Sequence, residues 1–512
     1  MYFDATLIFP PGWSLHSGGM YIASPLLIGY AKQNSDLSIN QIDLNIELPK
    51  KKGFLLCENE ILEAYYSGFN HFARFYESKN RELTSLFGND NVSCNINEGL
   101  VPENINVLSS QVTKNTIGFS YRTIEEAYHI IKNRISEICI AFSIASSIQL
   151  FWAIHLSITI RKYGYKGKII LGGNIPTRLK NELKKDWLFE IIDGFIIWSG
   201  EKALLQYINA IKTDSFENVN NLIYRKYQDF VENASKFIIP ADFAVPDFEG
   251  LEVGKYNGIN YIPLLASRGC YYGKCTFCSI PFSYGKNGFL GNDSLENIVS
   301  GINIGLKYNV SNFKFMDEAL FPKTIKELSK YLLKNEYNIA FEGYGRFDEF
   351  WTKHENLELC SKAGLRKVYF GLEIMSKNRK ALNKNDSMYA IEILELFKNF
   401  GIKIHLFVMI GYPGTSVQDA INTVEFCLKN VELIDSIDVS AFSYAKHTFI
   451  PEINPVIDDN NDWSLNFDYD TINKKDLTQQ ETKIICEDIE NLIWDLKPEW
   501  LHPAYRMVSS WI

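Results

Sequence analysis

The stretch Ser267-Arg-Gly-Cys-Tyr-Tyr-Gly-Lys-Cys-Thr-Phe-Cys278 places three cysteines, Cys270, Cys275 and Cys278, in one short run. The next cysteine along the chain is Cys360. Three thiolates can bind three irons of a [4Fe–4S] cluster and leave the fourth iron open to a substrate or cofactor, whereas a fully ligated cluster mostly transfers electrons. The run therefore predicts an iron–sulfur site with one open iron.

Two other metal sites stay open as interpretations of this run. A zinc site favours paired C-x2-C knuckles or nearby histidines, but the run has one such pair, and His405 and His447 lie far along the chain. A plant-type ferredoxin also begins C-x4-C-x2-C and needs a fourth cysteine. Cys360 falls in a predicted helix, where a cysteine more often acts as a small buried apolar residue.

Length and composition set the broad class of the protein. The 512 residues suggest two to four domains. The net charge is −9 and the longest basic run is Lys50-Lys51-Lys52, so nucleic acid is not an expected partner. Nine scattered cysteines favour a reducing cytoplasm over a disulfide framework. The first residues lack the basic region of a signal peptide and predict a strand.

The segment Ile138–Ile160 contains no charged residue of the Asp, Glu, Lys or Arg type and is long enough to span a bilayer. It nevertheless carries several hydroxyl side chains, an amide and His155. We therefore expect a buried strand at Ile138–Ile144 and a helix that Ser147 caps and that runs to about Tyr163. A membrane partner is not expected, and a membrane span is the alternative.

Residues 1–235 alternate strand and helix patterns, which is typical of a parallel, doubly wound, Rossmann-like sheet. A polar and aromatic insertion over residues 50–135 interrupts the alternation, a hairpin is predicted at Asn220–Asn233, and residues 236–258 form a linker. The predicted strands are Ala5–Phe9, Ile39–Leu44, Ile138–Ser143, Lys168–Gly172 and Gly194–Trp198, with a first helix at Ile22–Gln33.

Residues 259–449 alternate more regularly and predict six β/α units, which is a partial TIM-like barrel. The cysteine run follows the first strand, and chemistry in such folds gathers at the carboxyl ends of strands. A helix behind a Ser294 cap shows the expected apolar spacing. The predicted strands are Pro263–Ser267, Asn312–Met316, Ile339–Tyr344, Lys367–Glu373, Lys403–Ile410 and Ser436–Ser443.

A C-terminal region, residues 450–512, is expected to be irregular and then helical. Its aromatic and imidazole side chains are candidates to face a substrate, although packing is the commoner role for each one. They are Trp494, Trp500, His502, Tyr505 and Trp511.

The cysteine triad after the first strand of a six-unit β/α barrel, with Phe277 before its last member, resembles the radical S-adenosylmethionine (SAM) superfamily. The resemblance implies that Cys270, Cys275 and Cys278 hold a [4Fe–4S] cluster whose open iron binds SAM. One electron from a donor such as flavodoxin or ferredoxin would cleave SAM to methionine and a 5′-deoxyadenosyl radical. The common spacing is C-x3-C-x2-C, and this chain has one extra residue between Cys270 and Cys275.

The resemblance also implies SAM-binding positions at successive barrel strand ends. Phe277 lies beside the cluster, and Asp317 and Glu318 would bind the SAM amino group, with a helix N-terminal cap as their alternative role. Arg346 would bind the carboxylate, or form a salt bridge at the barrel rim. Glu373 would accept from the ribose hydroxyls, and Gly411 would let the adenine approach the backbone.

The N-terminal half resembles the cobalamin-binding domain that precedes many radical SAM barrels. The motifs that carry this resemblance, in order, are Phe9-Pro-Pro-Gly12, Pro25-Leu-Leu-Ile-Gly-Tyr30, Asp43-Leu-Asn45, Leu171-Gly-Gly-Asn-Ile-Pro-Thr177 and Ser199-Gly-Glu-Lys-Ala203. The cobalamin contacts it implies are Ser143, Ser146, Gly172, Gly173, Gly200 and Glu201. The glycines could instead serve ordinary turns.

The D-x-H-x-x-G run that supplies a lower cobalt ligand in other cobalamin proteins does not occur in this sequence. His16, the only histidine near the N-terminus, is expected to be a loop residue. The radical SAM branch usually lacks that run, so the resemblance holds without it.

Together the two resemblances imply a cobalamin-dependent radical SAM enzyme, most often a methyltransferase. Its substrate would be a small molecule, such as a natural product, or a peptide. One SAM would methylate cobalamin and a second would yield the radical that activates a substrate carbon. Cyclisation, rearrangement or oxidation without methyl transfer is an alternative, and so is a non-catalytic iron–sulfur or cobalamin-binding protein.

Overall fold

The structure is a computed structural model. It describes residues 2–12, 20–51, 58–87, 121–256, 260–285, 288–376, 382–383, 389–456, 463, 465–473 and 476–511. His16 and much of the predicted insertion over residues 50–135 therefore lie outside the described residues.

The N-terminal half contains a seven-stranded sheet in the order β2-β1-β3-β4-β5-β6-β7. Strands β1 to β5 run parallel, and the hairpin β6–β7 adds to the edge in antiparallel orientation. This confirms the predicted parallel α/β class. The strands are β1 (Ala5–Phe9), β2 (Ile39–Asp43), β3 (Cys139–Ser143), β4 (Lys168–Gly172), β5 (Gly194–Ile196), β6 (Leu222–Lys226) and β7 (Asp229–Glu232).

Helices cover both faces of this sheet, and the insertion contributes three of the described ones. The helices are α1 (Ala23–Asn34), α2 (Leu44–Lys51), α3 (Glu58–Tyr66), α4 (Phe69–Phe87), α5 (Tyr121–Ile131), α6 (Ser147–Lys162), α7 (Asn174–Arg178) and α8 (Glu201–Thr213).

The sequence interpretation placed the cap of α6 one residue too late. Ser146, not Ser147, is the N-cap: its hydroxyl accepts from the Gln149 backbone N–H, and the Gln149 side chain accepts from the Ser146 N–H. This reciprocal pair satisfies two N–H groups that lack partners within the helix. Among the described residues, no helix combines the length and apolar character that crossing a membrane requires.

The second half contains a six-stranded parallel sheet in the order β15-β14-β13-β12-β11-β8, as the six predicted β/α units require. Ser294 caps the first of the long barrel helices, as predicted. The strands are β8 (Ile262–Leu264), β9 (Ser267–Gly269), β10 (Phe289–Asn292), β11 (Asn312–Phe315), β12 (Ala340–Gly345), β13 (Leu365–Glu373), β14 (Lys403–Ile410) and β15 (Ser436–Ala441). The helices are α9 (Ile280–Ser283), α10 (Leu295–Lys307), α11 (Pro322–Lys334), α12 (His354–Lys362), α13 (Ala390–Asn399) and α14 (Val417–Lys429).

The first barrel strand is not continuous, which differs from the single strand predicted at Pro263–Ser267. The chain leaves the barrel after β8 and forms β9, which pairs with β10 in a separate antiparallel ribbon. Asp317 holds the break, because its carboxylate accepts from the Ala266 backbone N–H at 2.9 Å. The cysteine run begins directly after β9 and so starts from a fixed point.

The C-terminal region is more regular than its sequence indicates. An antiparallel sheet in the order β16-β18-β17 precedes two helices. Its elements are β16 (Tyr444–Ala445), β17 (Ile453–Val456), β18 (Asn466–Thr471), α15 (Gln479–Leu496) and α16 (Pro503–Ser509). The sheet contributes Tyr469 to an apolar cluster at the barrel rim that includes Tyr412, and Phe467 packs against this cluster.

Helix α16 lies across the amino ends of the barrel strands. Lys367, at the start of β13, donates to the Arg506 carbonyl at 3.3 Å and to the Ser510 hydroxyl at 3.2 Å. The Arg506 guanidinium donates to the Ile437 carbonyl at 2.7 Å. These contacts cover the amino ends of β13 and β15, opposite the cysteine run.

Candidate active site

One cavity of about 760 Å³ lies between the carboxyl ends of the two parallel sheets. It is lined by the cysteine run and barrel strand ends on one side and by the ends of β3, β4 and β5 on the other. Ligand sites in open α/β sheets form at this edge. The predicted site residues that line it are Cys270, Cys275, Cys278, Phe277, Asp317, Glu318, Arg346, Glu373, Ser143, Gly172, Gly173, Gly200 and Glu201. Gly411 and Ser146 are not among the residues that line it.

The three cysteines of the run are half-buried thiols outside any disulfide. The Cys270 N–H donates to the Gly288 carbonyl at 3.0 Å, and the Cys278 N–H donates to the Cys275 carbonyl at 3.2 Å. Burial raises the pKa of the Cys278 thiol to about 12. Metal binding would displace its proton, because a metal-bound cysteine is a thiolate.

The three cysteines of the run line one wall of this cavity. Among the described residues that line it there is no histidine, which zinc sites commonly combine with cysteine. Cys360 does not line this wall: it is fully buried in α12 and its sulfur accepts from the Ser329 hydroxyl. A cavity wall with three cysteines, no histidine and no Cys360 fits a three-cysteine [4Fe–4S] cluster better than zinc or a cluster with Cys360 as fourth ligand.

Phe277 lies in the cysteine run between two of the ligands and packs edge-on against Tyr412, with ring centroids 6.5 Å apart. The neighbouring Thr276 shares a 2.7 Å hydrogen bond with the Tyr412 hydroxyl. Tyr412 is fully buried at the end of β14. The cysteine run is thus attached to the barrel rim at its carboxyl side.

Asp317 and Glu318 follow β11, but they differ in surroundings. Asp317 accepts from Ala266 N–H and from the Ser267 hydroxyl at 2.6 Å, so its carboxylate holds the break in the first strand. Glu318 is half-buried, accepts from the Tyr284 hydroxyl at 3.4 Å, and has a pKa raised to about 7 by burial and by the neighbouring Asp317. A cationic group bound beside Glu318 would stabilise its charged form, so Glu318 fits the predicted amine contact better than Asp317.

Arg346 follows β12 and is 7% exposed. Its Nη1 lies 3.8 Å from Cys275 Sγ, and its guanidinium carbon lies 3.6 Å from the centroid of the Tyr272 ring. Its Nε lies 3.7 Å from an Asp348 carboxylate oxygen. The sequence predicts that Arg346 binds the SAM carboxylate or forms a salt bridge at the barrel rim. In the structure Arg346 also contacts the cysteine run, through Cys275 and Tyr272.

Glu373 ends β13 in a left-handed backbone conformation, with φ of +60°. The pairing of β13 with β14 shifts register between Gly371 and Glu373. Such irregularities redirect a side chain and are common beside functional sites. The shift places Glu373 in the lining of the cavity, where the sequence predicted a ribose contact.

Gly411 also has a left-handed backbone, with φ of +79°. A Cβ at this position would lie 2.1 Å from Thr482 Oγ1 of α15. Close packing against Thr482 therefore explains why a glycine occupies this position. A contact between Gly411 and the adenine of SAM stays a prediction.

The N-terminal side of the cavity is built from strand ends. A Cβ on Gly172 would have no atom nearer than 3.8 Å, so the cavity has room there. A Cβ on Gly173, whose φ is +109°, would lie 2.4 Å from the Ile144 carbonyl oxygen. Gly172 thus leaves open space for a large cofactor, whereas Gly173 permits a tight turn. Ser146 is engaged as the α6 cap.

Sequence reasoning missed the aromatic side chains of the cavity wall. Tyr344, Tyr369 and Phe407 form a panel on β12, β13 and β14, with ring centroids 5.1 to 6.4 Å apart. Tyr21 and Trp198 line the N-terminal side. The alternation of inward and outward residues along each strand was the available signal, but it does not show which inward residues reach the cavity.

Comparison with known proteins matches residues 264–427 to the Radical SAM superfamily. A curated relative, 4'-phospho-dehydrooxetanocin synthase from Priestia megaterium, is 24% identical over 305 residues, which cover 54% of this chain and 40% of that protein. The chain therefore spans well under two thirds of that relative.

Solved structures of two proteins resemble the whole chain. Cobalamin-dependent SAM radical enzyme OxsB, with aqua-cobalamin and SAM bound, aligns with a TM-score of 0.65 and 13% identity over 96% of this chain and 66% of that one. The radical SAM methyltransferase TsrM from Kitasatospora setae, with cobalamin and a [4Fe-4S] cluster bound, aligns with a TM-score of 0.56 and 12% identity over 94% of this chain and 84% of that one. At this identity the likeness establishes the fold.

Proposed function

Starting from a radical SAM domain within a chain of this fold, we propose that the protein is a cobalamin-dependent radical SAM enzyme that methylates an unactivated carbon of a small molecule or peptide. The observation that carries the proposal is the single cavity that joins the cysteine run to the open strand ends of the N-terminal sheet. Cofactors held on the two sides of one cavity can act on the same substrate.

The cysteine side of the cavity has groups suited to a cluster and SAM. Cys270, Cys275 and Cys278 would hold the cluster, and Glu318 would accept from the SAM amino group. Glu373 would accept from the ribose hydroxyls. Bound there, the cluster and SAM would supply a 5′-deoxyadenosyl radical, and cobalamin would supply the methyl group.

The opposite side would hold cobalamin. Gly172 and Gly200 leave space for a flat ring system, and the half-buried Glu201 and the buried Ser143 offer polar atoms beside it. The apolar surface of Leu265, Met316 and the aromatic panel would exclude water from a reactive radical between the two sides.

The decisive experiment is anaerobic reconstitution with iron, sulfide and cobalamin, followed by addition of SAM and a low-potential reductant. We expect 5′-deoxyadenosine from the native protein and none from Cys275→Ala. With a substrate and SAM labelled at its methyl group, we expect label in the product. A native protein that binds the cluster and forms no deoxyadenosine would contradict the proposal.

A second outcome is favoured by one observation, the 24% identity to a protein named 4'-phospho-dehydrooxetanocin synthase. In this alternative the same cofactors cyclise, rearrange or oxidise the substrate without methyl transfer. Deoxyadenosine together with an unlabelled, rearranged product would identify it.

A further inference from the structure

The loop between Cys270 and Cys275 is tied to the barrel by two consecutive tyrosines. The Tyr271 hydroxyl donates to the Asp348 carboxylate, and the Tyr272 hydroxyl donates to the Asn383 carbonyl. The Asn383 side chain returns a bond to the Lys274 carbonyl at 2.9 Å. The four residues between Cys270 and Cys275 therefore include two side chains, those of Tyr271 and Tyr272, that anchor the loop at separate points.

Arg346 is enclosed by this loop. Its guanidinium stacks on the Tyr272 ring at 3.6 Å and approaches Asp348 at 3.7 Å, while Nη1 points to Cys275 Sγ at 3.8 Å. The side chain is 8% exposed, so water screens its charge weakly. A planar guanidinium held by a ring and a carboxylate has little freedom to move away from the sulfur.

We propose that Arg346 is a positioning residue for the reductive step: it donates an N–H···S hydrogen bond to Cys275 and makes the cluster easier to reduce, and Tyr272 and Asp348 hold it in place. The inference rests on the proposed function, because it requires a cluster on the three cysteines. Hydrogen bonds to cluster sulfurs and nearby charge set the reduction potential. One electron from an external low-potential reductant adds one negative charge beside Cys275, and the buried cation stabilises that charge.

This role differs from binding the SAM carboxylate, and the two can be separated. A carboxylate contact affects the protein only when SAM is present. A bond to Cys275 affects the cluster without SAM. The measurement is therefore a redox titration of the reconstituted, SAM-free holoenzyme with dithionite and viologen mediators, followed by electron paramagnetic resonance.

The variants are Arg346→Met, Arg346→Lys and Tyr272→Leu, with Arg366→Met as the matched control. Arg366 is an exposed arginine at the far end of β13. For Arg346→Met we expect the one-electron reduction equilibrium to become at least tenfold less favourable, which corresponds to 59 mV in potential. Arg346→Lys and Tyr272→Leu should shift it in the same direction by less, and Arg366→Met should leave it unchanged.

Equal potentials in the native protein and Arg346→Met would overturn the inference while leaving the proposed function intact. Failure of the native protein to assemble a cluster would instead refute the proposed function. If Arg346→Met loses its cluster, Arg346→Lys and Tyr272→Leu decide: unchanged potentials in both contradict the inference, and a negative shift in both supports it.

Discussion

Thr482 fills the space in front of Gly411, so that a methyl group on Gly411 would lie 2.1 Å from Thr482 Oγ1 and 2.2 Å from its Cγ2. This contact joins the end of β14 to α15, and so links the barrel rim to the C-terminal region. Thr482 is fully buried, so other parts of the protein enclose its side chain.

We expect Gly411→Ala to lower the free energy of unfolding by about 2 kcal/mol, because it adds a clash to a left-handed backbone that favours glycine. Denaturant unfolding of the variant measures this. Gly414 also has a positive φ but no atom within 4 Å of an added Cβ, so Gly414→Ala is the control that carries backbone strain alone. Equal losses in both variants would show that Thr482 packing contributes nothing.

Replacing Cys275 with alanine should abolish both cluster absorbance and SAM cleavage, whereas Cys360→Ala should retain both. The physical reason is that Cys275 lines the cavity and Cys360 is enclosed in α12 beside Ser329. Iron content, absorbance and deoxyadenosine formation are the measurements. Loss of the cluster in Cys360→Ala with the fold intact would revive the four-cysteine alternative.

The adjacent glycines of the Leu171-Gly-Gly motif should respond differently to substitution. Gly172→Val should fold normally and weaken cobalamin binding by about tenfold or more, because its side chain would enter open cavity space. Gly173→Ala should instead lower the melting temperature, since its Cβ would meet the Ile144 carbonyl. Cobalamin retained after desalting and thermal unfolding measure the two effects. Unchanged retention in Gly172→Val would argue against cobalamin at this strand end.

Lys367 should make stability depend on pH under alkaline conditions. Burial lowers its pKa from 10.5 to about 8, so between these values the folded protein holds this amine neutral while the unfolded chain still binds its proton. The cost of burying the charged amine is therefore present below pH 8, and the contribution of Lys367 to stability rises with pH between about 8 and 10.5. The full effect is at most about 3 kcal/mol.

Lys367→Met should remove this rise in the unfolding free energy, measured by urea denaturation from pH 8 to pH 10. Lys330, an exposed lysine on α11, provides the control Lys330→Met, which should keep the native slope. If Lys367→Met keeps the native slope, the lysine is charged in the folded protein.

Much of the fold could be predicted from local patterns. Alternating apolar runs gave the strands at Ala5–Phe9, Lys168–Gly172 and Lys403–Ile410, with the bounds that the structure has. The break in the first barrel strand could not be predicted, because a carboxylate from Asp317, about fifty residues away, holds it. Long-range side-chain contacts of this kind leave no local pattern.

In the candidate site, too, local patterns predicted some features, and long-range contacts determine others. The spacing of the cysteines and the polar residues at successive strand ends indicated the cysteines and several polar residues of the cavity lining, but not its apolar and aromatic wall. The sequence could not show that Ser146 is engaged as a helix cap or that Gly411 faces Thr482. It also could not show the contact of Arg346 with Cys275, since that contact depends on how the loop folds back over the barrel.

Helix α16, which lies across the amino ends of the barrel strands, limits access to the barrel from that side. Its contacts with Lys367 and with the Ile437 carbonyl cover the amino ends of β13 and β15. The cavity lies at the opposite ends of the strands, beside the N-terminal sheet, so a molecule bound there would enter from that side.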